Sequence, residues 1–293
     1  ELAITRWPVH AVAPGEASKS IGTYQACLHW LADAGASRRT TMIALGGGVV
    51  GDLAGFVAAT YMRGIPLIQI PTTLLSMVDS SVGGKVGIDM PHGKNLVGAL
   101  YPPAAVHVSP ETLGTLPTRE FANGMAEVVK YGFILDEGIL QSIAGGPVES
   151  DSGGLNELIT RCIELKAKVV EEDEFETKGL RAVLNFGHTV GHALEKVTGY
   201  GPLLHGEAMS IGMAVEAALG EALGVTQPGT ISQVREHLLR QNLPITHAAL
   251  VRTDELILAM QSDKKATSGN LAFSLVTQPG ACKLVENVPP GAV

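Results

Sequence analysis

The sequence is poor in cysteine. Its 293 residues include three, Cys27, Cys162 and Cys282, which lie far apart and form no Cys-x-x-Cys pair. This spacing excludes a disulfide-rich scaffold, a thiolate zinc site and a thioredoxin-like redox motif. So few, unpaired thiols fit a reducing compartment, and we predict a cytoplasmic location.

The chain also lacks an excess of positive charge and any long apolar run. Lys and Arg total 21 against 29 Asp and Glu, which gives a net charge of -8. No broad positive field can attract nucleic acid or an anionic membrane, so an anionic ligand needs a local basic pocket. Apolar stretches end in a charged residue or proline before the roughly 18 residues that a membrane helix needs, and no signal-like segment opens the chain. We therefore expect a soluble protein.

Aromatic residues are scarce, at 4%, whereas glycine is abundant. The 35 glycines make up about 12% of the chain, compared with about 7% in average proteins. Glycine permits tight turns and a close approach of backbone to a ligand. At a length that fits about two domains, this composition favours an enzyme that acts on small molecules.

Apolar patterning divides the chain into two parts. The first part predicts a helix over residues 20–36, a strand over 41–45, a helix over 49–62 and a strand over 65–70. This alternation predicts βαβ units with a parallel sheet, which binds ligands at the carboxyl ends of its strands. Helices dominate after residue 117, so we place two domains at 1–117 and 118–293. The second domain is predicted to hold helices over residues 120–131, 155–172, 189–197, 207–223, 232–241 and 254–264, then a hairpin over 271–276 and 282–285.

A glycine-rich turn follows the first predicted strand. Gly46, Gly48 and Gly51 fit the pattern Gly-x-Gly-x-x-Gly at a helix start, where free N–H groups and the helix dipole favour a phosphate. A tight strand-to-helix turn without a ligand fits equally well, and Asp52 can instead cap the helix. The acidic residue that the dinucleotide fingerprint carries about twenty positions later is missing. Both interpretations stay open on these residues alone.

Two polar segments, residues 79–85 and 93–95, are predicted to be loops. They hold Asp79, Lys85, Lys94 and Asn95 with little apolar content between them. Glycine turns beside lysines suit a phosphate or another oxyanion. Two solvated loops without a ligand have the same composition.

Glu127 and Lys130 lie about one helical turn apart and therefore face the same way. A surface ion pair is the ordinary interpretation of this spacing. The apolar neighbours, such as Val128 and Val129, favour instead a partly desolvated carboxylate and ammonium that are available for chemistry.

Three of the nine histidines, His188, His192 and His205, are close together in the sequence. Catalytic zinc takes three nitrogen or oxygen ligands and keeps a further position for substrate, so the cluster predicts a metal site. A buried core histidine is the alternative for any one of them. Spacing alone selects the i, i+4 pair His188 and His192 as ligands and leaves His205 unassigned.

Five motifs in this order carry a resemblance to a known family. They read Gly-Gly-Gly-Val-Val-Gly-Asp-Leu-Ala-Gly-Phe over residues 46–56, Pro-Thr-Thr-Leu-Leu over 71–75, Asp-Ser-Ser-Val-Gly-Gly-Lys over 79–85, Ala-Glu-Val-Val-Lys-Tyr-Gly over 126–132 and Asn-Phe-Gly-His-Thr-Val-Gly-His over 185–192. From residue 15 to about residue 285 the sequence resembles the 3-dehydroquinate synthase family. The resemblance implies an α/β Rossmann-like NAD-binding domain followed by a mainly α-helical domain for metal and substrate. Fewer residues precede Gly15 than in the family, so we expect the first strands of the NAD domain to be missing.

The resemblance also implies a set of site residues. Glu127, His188 and His205 match the ligands of a zinc or cobalt ion, and this trio replaces the pair that spacing selects. The positions that match substrate-binding and catalytic residues are Lys85, Asn95, Lys130, Lys166, Arg181, Asn185, His192 and Lys264, and Arg63 matches an arginine from the second subunit of a homodimer. Those that match NAD-binding positions are Glu16, Lys19, Gly47, Gly48, Val49, Asp52, Thr72, Thr73, Asp79, Ser80, Lys85 and Lys94.

The implied activity is conversion of 3-deoxy-D-arabino-heptulosonate 7-phosphate to 3-dehydroquinate and phosphate. NAD oxidises a ring alcohol and later returns the hydride, the transient ketone makes phosphate elimination feasible, and an intramolecular aldol step closes the ring. Another sugar phosphate cyclase, a zinc- and NAD-dependent polyol dehydrogenase and an inactive binding module are the alternatives. Arg181, Asn185 and His192 favour the synthase, and no nucleic-acid or membrane partner is expected.

Overall fold

The computed structural model describes residues 7–174, 176–262 and 270–293, and the chain divides into two compact units. Unit 1 comprises Glu1–Thr112 and unit 2 comprises Leu113–Val293. The domain boundary that we place after residue 117 lies a few residues inside unit 2 and stays a prediction.

Unit 1 contains a parallel sheet flanked by helical segments. Its elements in chain order are α1 (Ile21–Asp33), β1 (Met42–Gly46), α2 (Gly48–Thr60), β2 (Leu67–Pro71), β3 (Lys85–Met90), β4 (Gly93–Leu100) and β5 (Ala105–Val106). Strands β1, β2 and β5 form the parallel sheet in the order β1-β2-β5. The order of helices and strands predicted for residues 20–70, and their parallel pairing, are confirmed.

Helix α2 and strand β1 carry their apolar residues at the period of each element. Met42 and Ala44 are buried on alternate positions of β1, and Leu53, Phe56 and Val57 are buried on α2. These side chains belong to one core cluster, so the glycine turn that joins β1 to α2 is supported by packing on both sides.

The polar segments predicted to be loops include a β-hairpin. Strands β3 and β4 pair antiparallel, so Lys85, Lys94 and Asn95 lie on strands and the loop prediction is wrong for them. A Cβ on Gly98 would lie 2.2 Å from the carbonyl oxygen of Val86, so only glycine permits this close pairing. Val86, Ile88 and Met90 alternate with Gly87 and Asp89, so the strand pattern is present but begins only after Lys85.

Unit 2 is mainly helical and ends in a hairpin. Its elements are α3 (Thr118–Ile134), α4 (Glu137–Ser142), α5 (Leu155–Glu172), α6 (His188–Val197), α7 (His205–Ala222), α8 (Thr230–Arg240), α9 (Thr253–Gln261), β6 (Leu271–Gln278) and β7 (Ala281–Val288). The predicted helices and hairpin are present, whereas the prediction misses α4. Lys264, at the end of the last predicted helix, lies outside the described residues. Within those residues, every helix is too short or too polar to cross a lipid bilayer.

Helix α7 is buried on nearly all sides. Residues 208–214 are all buried, as expected for a helix in the middle of a core. It packs closely against α6, since a Cβ on Gly212 would lie 2.0 Å from the carbonyl oxygen of Gly187. The starts of these two helices carry His188 and His205, so this packing sets the distance between two predicted ligands.

Candidate active site

Three side chains from three helices of unit 2 converge on one point. Glu127 comes from α3, His188 is the first residue of α6 and His205 is the first residue of α7. Glu127 Oε1 lies 3.7 Å from His188 Nε2 and 3.9 Å from His205 Nε2. One ligand atom from each residue lies within 4.8 Å of the others, a separation at which a single cation can contact all three.

The Glu127 carboxylate is fully buried, with Lys130 beside it. Lys130, also buried, forms an ion pair with Oε2. Oε1 accepts no hydrogen bond from the part of the chain that the structure describes. Burying a carboxylate oxygen without a hydrogen-bond donor costs folding free energy, and a bound cation would remove that cost. The surface ion pair considered from the spacing is therefore wrong, and the desolvated pair is present.

His188 is held by the turn before α6 and by a carboxylate from α7. Gly187 adopts a positive φ of 83°, and Glu216 accepts hydrogen bonds from the N–H groups of Gly187, at 2.7 Å, and Val190, at 3.1 Å. The His188 Nδ1 lies 3.2 Å from the carbonyl oxygen of Phe186. Burial, and then the nearby Lys130 ammonium, hold the pKa of His188 well below its usual value. The imidazole is thus neutral at pH 7, with Nε2 directed at Glu127.

His205 is positioned by contacts at the start of α7. The N–H of Gly206 donates to Asn123 Oδ1 at 2.5 Å, one helical turn before Glu127 on α3. Glu207 accepts from the N–H of Leu204 at 2.9 Å and from Arg119 Nε at 2.7 Å. Although partial burial acts to raise it, the pKa of Glu207 is lowered by these hydrogen bonds, the one from Arg119 foremost. The start of α7 is thereby fixed against α3.

His192 lies beside this trio and is exposed. Its ring centroid is 5.4 Å from that of His188 and 6.1 Å from that of His205. With Glu195 and His205 it forms a second group whose ligand atoms lie within 4.8 Å of one another. Among the described residues, His188 and His192 do not belong to the same group of candidate ligands. The structure therefore does not support the ligand pair that the i, i+4 spacing selects.

Two further cations of the predicted site are buried in unit 2. Lys166 on α5 and Arg181 are 7% and 5% exposed. The Arg181 guanidinium donates to the carbonyl oxygen of Glu174 and lies 3.5 Å from the Glu176 carboxylate, whereas its Nε donates to no described residue. Asn185 donates to the carbonyl oxygen of Ala182 at 3.1 Å. Buried cations of this kind are suited to anionic groups of a ligand.

In unit 1 the glycine turn lies against the residues that follow β2. A Cβ on Gly47 would come within 2.9 Å of Thr73, and one on Gly48 within 3.0 Å of Ser80 Oγ. Ser80 and Asp79 end a π-helical turn, Ser76–Ser80, a conformation that is often found at functional sites. Gly47, Gly48, Thr73 and Ser80 are therefore brought together, with Thr72 donating to the carbonyl oxygen of Gly46 at 2.9 Å.

A buried charge network surrounds Lys19, which is 3% exposed. Its Nζ lies 2.8 Å from Asp52 Oδ2, 2.6 Å from Asn95 Oδ1 and 3.4 Å from Glu16 Oε1. Burial acts to lower the pKa of Lys19, but the carboxylates of Asp52 and Glu16 outweigh it and raise the pKa. Asp52 lies inside α2 and pairs with Lys19, so the helix-cap alternative for Asp52 is wrong.

The remaining predicted residues of unit 1 stand apart from this network or at its edge. Lys94 Nζ lies 4.0 Å from Glu16 Oε1, and Val49 is partly buried on α2. Lys85 is exposed at the start of β3, and Arg63 is exposed in a turn with a positive φ of 66°. Asp89, which no motif marks as a site residue, accepts a hydrogen bond from the N–H of Asn95 at 2.8 Å. Its carboxylate four residues after Lys85 was the available signal.

Comparison with known proteins decides the family. A family model described as 3-dehydroquinate synthase N-terminal matches residues 9–123, and one described as 3-dehydroquinate synthase C-terminal matches residues 124–266. The chain belongs to the 3-dehydroquinate synthase family. A 3-dehydroquinate synthase from Pelobacter propionicus is 48% identical over 279 residues, which cover 94% of this chain and 77% of the relative.

Solved structures of sugar phosphate cyclases share the fold. The 2-epi-5-epi-valiolone synthase of Streptomyces hygroscopicus, solved with NAD+ and Zn2+ bound, gives a TM-score of 0.87 at 26% identity over 96% of this chain and 79% of that one. A 2-deoxy-scyllo-inosose synthase, solved with carbaglucose-6-phosphate, NAD+ and Co2+, gives 0.83 at 29% identity over 95% and 79%. The predicted family, fold class and enzyme activity are confirmed.

Proposed function

We propose that this member of the 3-dehydroquinate synthase family binds a divalent cation through Glu127, His188 and His205. The observation that carries the proposal is the convergence of their ligand atoms around a buried carboxylate oxygen that lacks a donor. Two imidazoles and one carboxylate, with room for substrate, are the ligand set of many catalytic zinc sites. The named cyclases with Zn2+ and Co2+ support a metal of this kind.

The bound cation supplies Lewis acidity, which polarises the substrate hydroxyl that is oxidised. The side chains around it have separate tasks. Glu127 and the neutral imidazole of His188 hold the cation, and Glu216 keeps the start of α6 in place through the N–H groups of Gly187 and Val190. The Lys130 ammonium pairs with the second oxygen of Glu127, which limits the negative charge left at the site.

Lys130, Lys166 and Arg181 bind the carboxylate and phosphate of the substrate, 3-deoxy-D-arabino-heptulosonate 7-phosphate. Their burial supports this role, because charged hydrogen bonds are strong where water is excluded. They also account for anion binding by a chain with a net charge of -8. Asn185 and the exposed His192 complete the set, His192 as a group that binds phosphate or carries protons.

The NAD site is assigned to unit 1. The turn at Gly47 and Gly48 lies close against Thr73 and Ser80 and begins α2, an arrangement that presents backbone N–H groups to a phosphate. NAD bound there would supply the hydride acceptor for oxidation of the ring alcohol. The further residues assigned to this site are Glu16, Lys19, Val49, Asp52, Thr72, Thr73, Asp79, Ser80, Lys85 and Lys94.

Four other assignments rest on the family resemblance. Lys85 and Asn95 are proposed to bind substrate, as is Lys264, and Arg63 is proposed to act across a homodimer. A cytoplasmic location is supported by the three cysteines, none of which forms a disulfide bond in the part of the chain that the structure describes. Sedimentation at micromolar concentration tests the dimer, since a monomer would leave Arg63 without its role.

The function is tested by incubating the protein with the heptulosonate phosphate, NAD and Zn2+, and measuring phosphate and 3-dehydroquinate. We expect equal amounts of both products, no accumulated NADH, and no product after treatment with EDTA. A valiolone or inosose product would identify a different cyclase, and accumulation of NADH in proportion to turnover would identify a dehydrogenase. The 48% identity to a named 3-dehydroquinate synthase, against 26–29% to the solved cyclases, favours the synthase.

A further inference from the structure

The two ring nitrogens of His205 face two different carboxylates. Nε2 is directed towards Glu127 Oε1 at 3.9 Å, whereas Nδ1 is directed towards Glu195 Oε2 at 3.6 Å. Glu195 is 4% exposed and lies on α6, two helical turns after His188. Helix α6 therefore carries the predicted ligand His188 and also places the Glu195 carboxylate beside Nδ1 of His205.

A neutral imidazole carries one N–H, so the partner of one nitrogen decides whether the other has a free lone pair. Both carboxylates can only accept a proton, so Glu127 and Glu195 favour opposite tautomers of His205. A cation bound beside Glu127 excludes a proton from Nε2 and leaves it on Nδ1, where Glu195 accepts it. The lone pair is then on Nε2, the nitrogen that faces Glu127. His188 has the same arrangement, with the carbonyl oxygen of Phe186 at 3.2 Å from its Nδ1.

We infer that Glu195 is a positioning residue of the metal centre: it accepts the Nδ1 proton of His205 and so fixes the tautomer and ring orientation in which Nε2 binds the cation. Acceptors behind ligating histidines have this role in many metal sites. The inference rests on the proposed metal site.

The competing arrangement places the cation among His192, Glu195 and His205, whose ligand atoms are equally close together. In that arrangement Glu195 is itself a ligand and His205 binds through Nδ1. The buried Glu127 oxygen, which accepts no hydrogen bond from the described residues, favours the first trio. The exposed position of His192 gives the second trio less exclusion of water.

The test compares Co2+ binding by the metal-free wild-type protein, Glu195→Gln and His192→Gln. Affinity is measured by competition with a chromophoric chelator, and ligand geometry by the visible absorption of bound Co2+. Mutation of the hydrogen-bonding partner of a metal ligand typically weakens metal binding by about 10–100-fold, and glutamine replaces the charged acceptor with a neutral amide that can also donate. We expect Glu195→Gln to show such a loss and an altered Co2+ spectrum, and His192→Gln to keep the wild-type affinity and spectrum.

Each other outcome contradicts the inference in a distinct way. Wild-type affinity and spectrum in Glu195→Gln would show that Glu195 does not position His205. Similar losses in both variants would place the cation in the second trio. Failure of the wild-type protein itself to bind Co2+ would instead reject the proposed metal site on which the inference rests.

A second measurement needs no substitution and so does not depend on the folding of a variant. Long-range proton–nitrogen NMR correlations of histidine-labelled, Zn2+-loaded protein show which ring nitrogen of a histidine carries the proton and which binds the metal. We expect His205, assigned by comparison with His205→Gln, to carry its proton on Nδ1. A proton on Nε2 would overturn the inference.

Discussion

Replacement of Gly212 by alanine tests how the fold sets the distance between two metal ligands. Gly212 lies on α7 where that helix contacts the start of α6. A Cβ at this position would lie 2.0 Å from the carbonyl oxygen of Gly187 and 3.0 Å from the amide nitrogen of Gly191. Both are backbone atoms, so no side-chain rotation relieves the contact.

The magnitude follows from these distances. Carbon and carbonyl oxygen reach ordinary contact at about 3.3 Å, so the two helices must separate locally by about 1.3 Å. Overpacking of a core costs about 1–3 kcal/mol of unfolding free energy. His188 directly follows Gly187, so it moves away from His205, whereas metal–ligand distances tolerate only about 0.2 Å. We expect at least a tenfold loss of Zn2+ affinity along with the loss of stability.

The assay measures urea denaturation and chelator competition for Zn2+ on the same preparations. Gly220→Ala is the matched control, since it lies on the same helix and its Cβ would come within 2.0 Å of Thr226 Oγ1. That position is about 22 Å along the helix axis from His205. We expect it to lower stability and leave Zn2+ affinity unchanged. Wild-type Zn2+ affinity in Gly212→Ala, or an equal loss of Zn2+ affinity in Gly212→Ala and Gly220→Ala, would refute the reasoning.

Four further substitutions test separate parts of the site. His188→Ala and His205→Ala should each lose bound metal, and metal analysis that finds normal stoichiometry in both would refute the ligand trio. Arg181→Ala should keep its metal and raise the KM for the heptulosonate phosphate at least about tenfold, because a charged hydrogen bond contributes about 1.5–3 kcal/mol; an unchanged KM would reject the substrate role. Lys19→Met should lower the stability of unit 1 by about 1–3 kcal/mol, since it leaves the partly buried carboxylate of Asp52 without its cation. The pKa of Lys19 is raised in the folded protein, so this difference from wild type should be complete below the ordinary lysine pKa of 10.5 and decline as the pH rises through the folded pKa. A difference that grows above pH 10.5 in urea denaturation would contradict it.

Much of the candidate site follows from local sequence. Glycines at 46–48 before an apolar helix, and the strands on either side, are specified by periodicity and by the conformational freedom of glycine. The histidine cluster likewise signals a metal site without any knowledge of the fold. The motifs over residues 46–56 and 185–192, taken with the others in their order, identify the family.

Sequence patterns leave burial and strand pairing open. Glu127 and Lys130 have the spacing of a surface ion pair, yet α3 is buried along this stretch and both side chains are inside the protein. Lys85 and Asn95 have the composition of loops, yet Gly87 and Gly98 allow β3 and β4 to pair. The burial of α3 and the pairing of β3 with β4 both depend on contacts with other elements of the fold.

The sequence by itself determined the order of helices and strands, the glycine turn and the family, because these depend on short-range patterns and on motifs read along the chain. The tertiary structure decided which carboxylate faces which histidine nitrogen. Helical spacing favours His192 as the partner of His188, whereas the close contact of α6 with α7 and of α7 with α3 brings together Glu127, His188 and His205. Ligand geometry is a property of packed helices, and packing depends on contacts that no local pattern specifies.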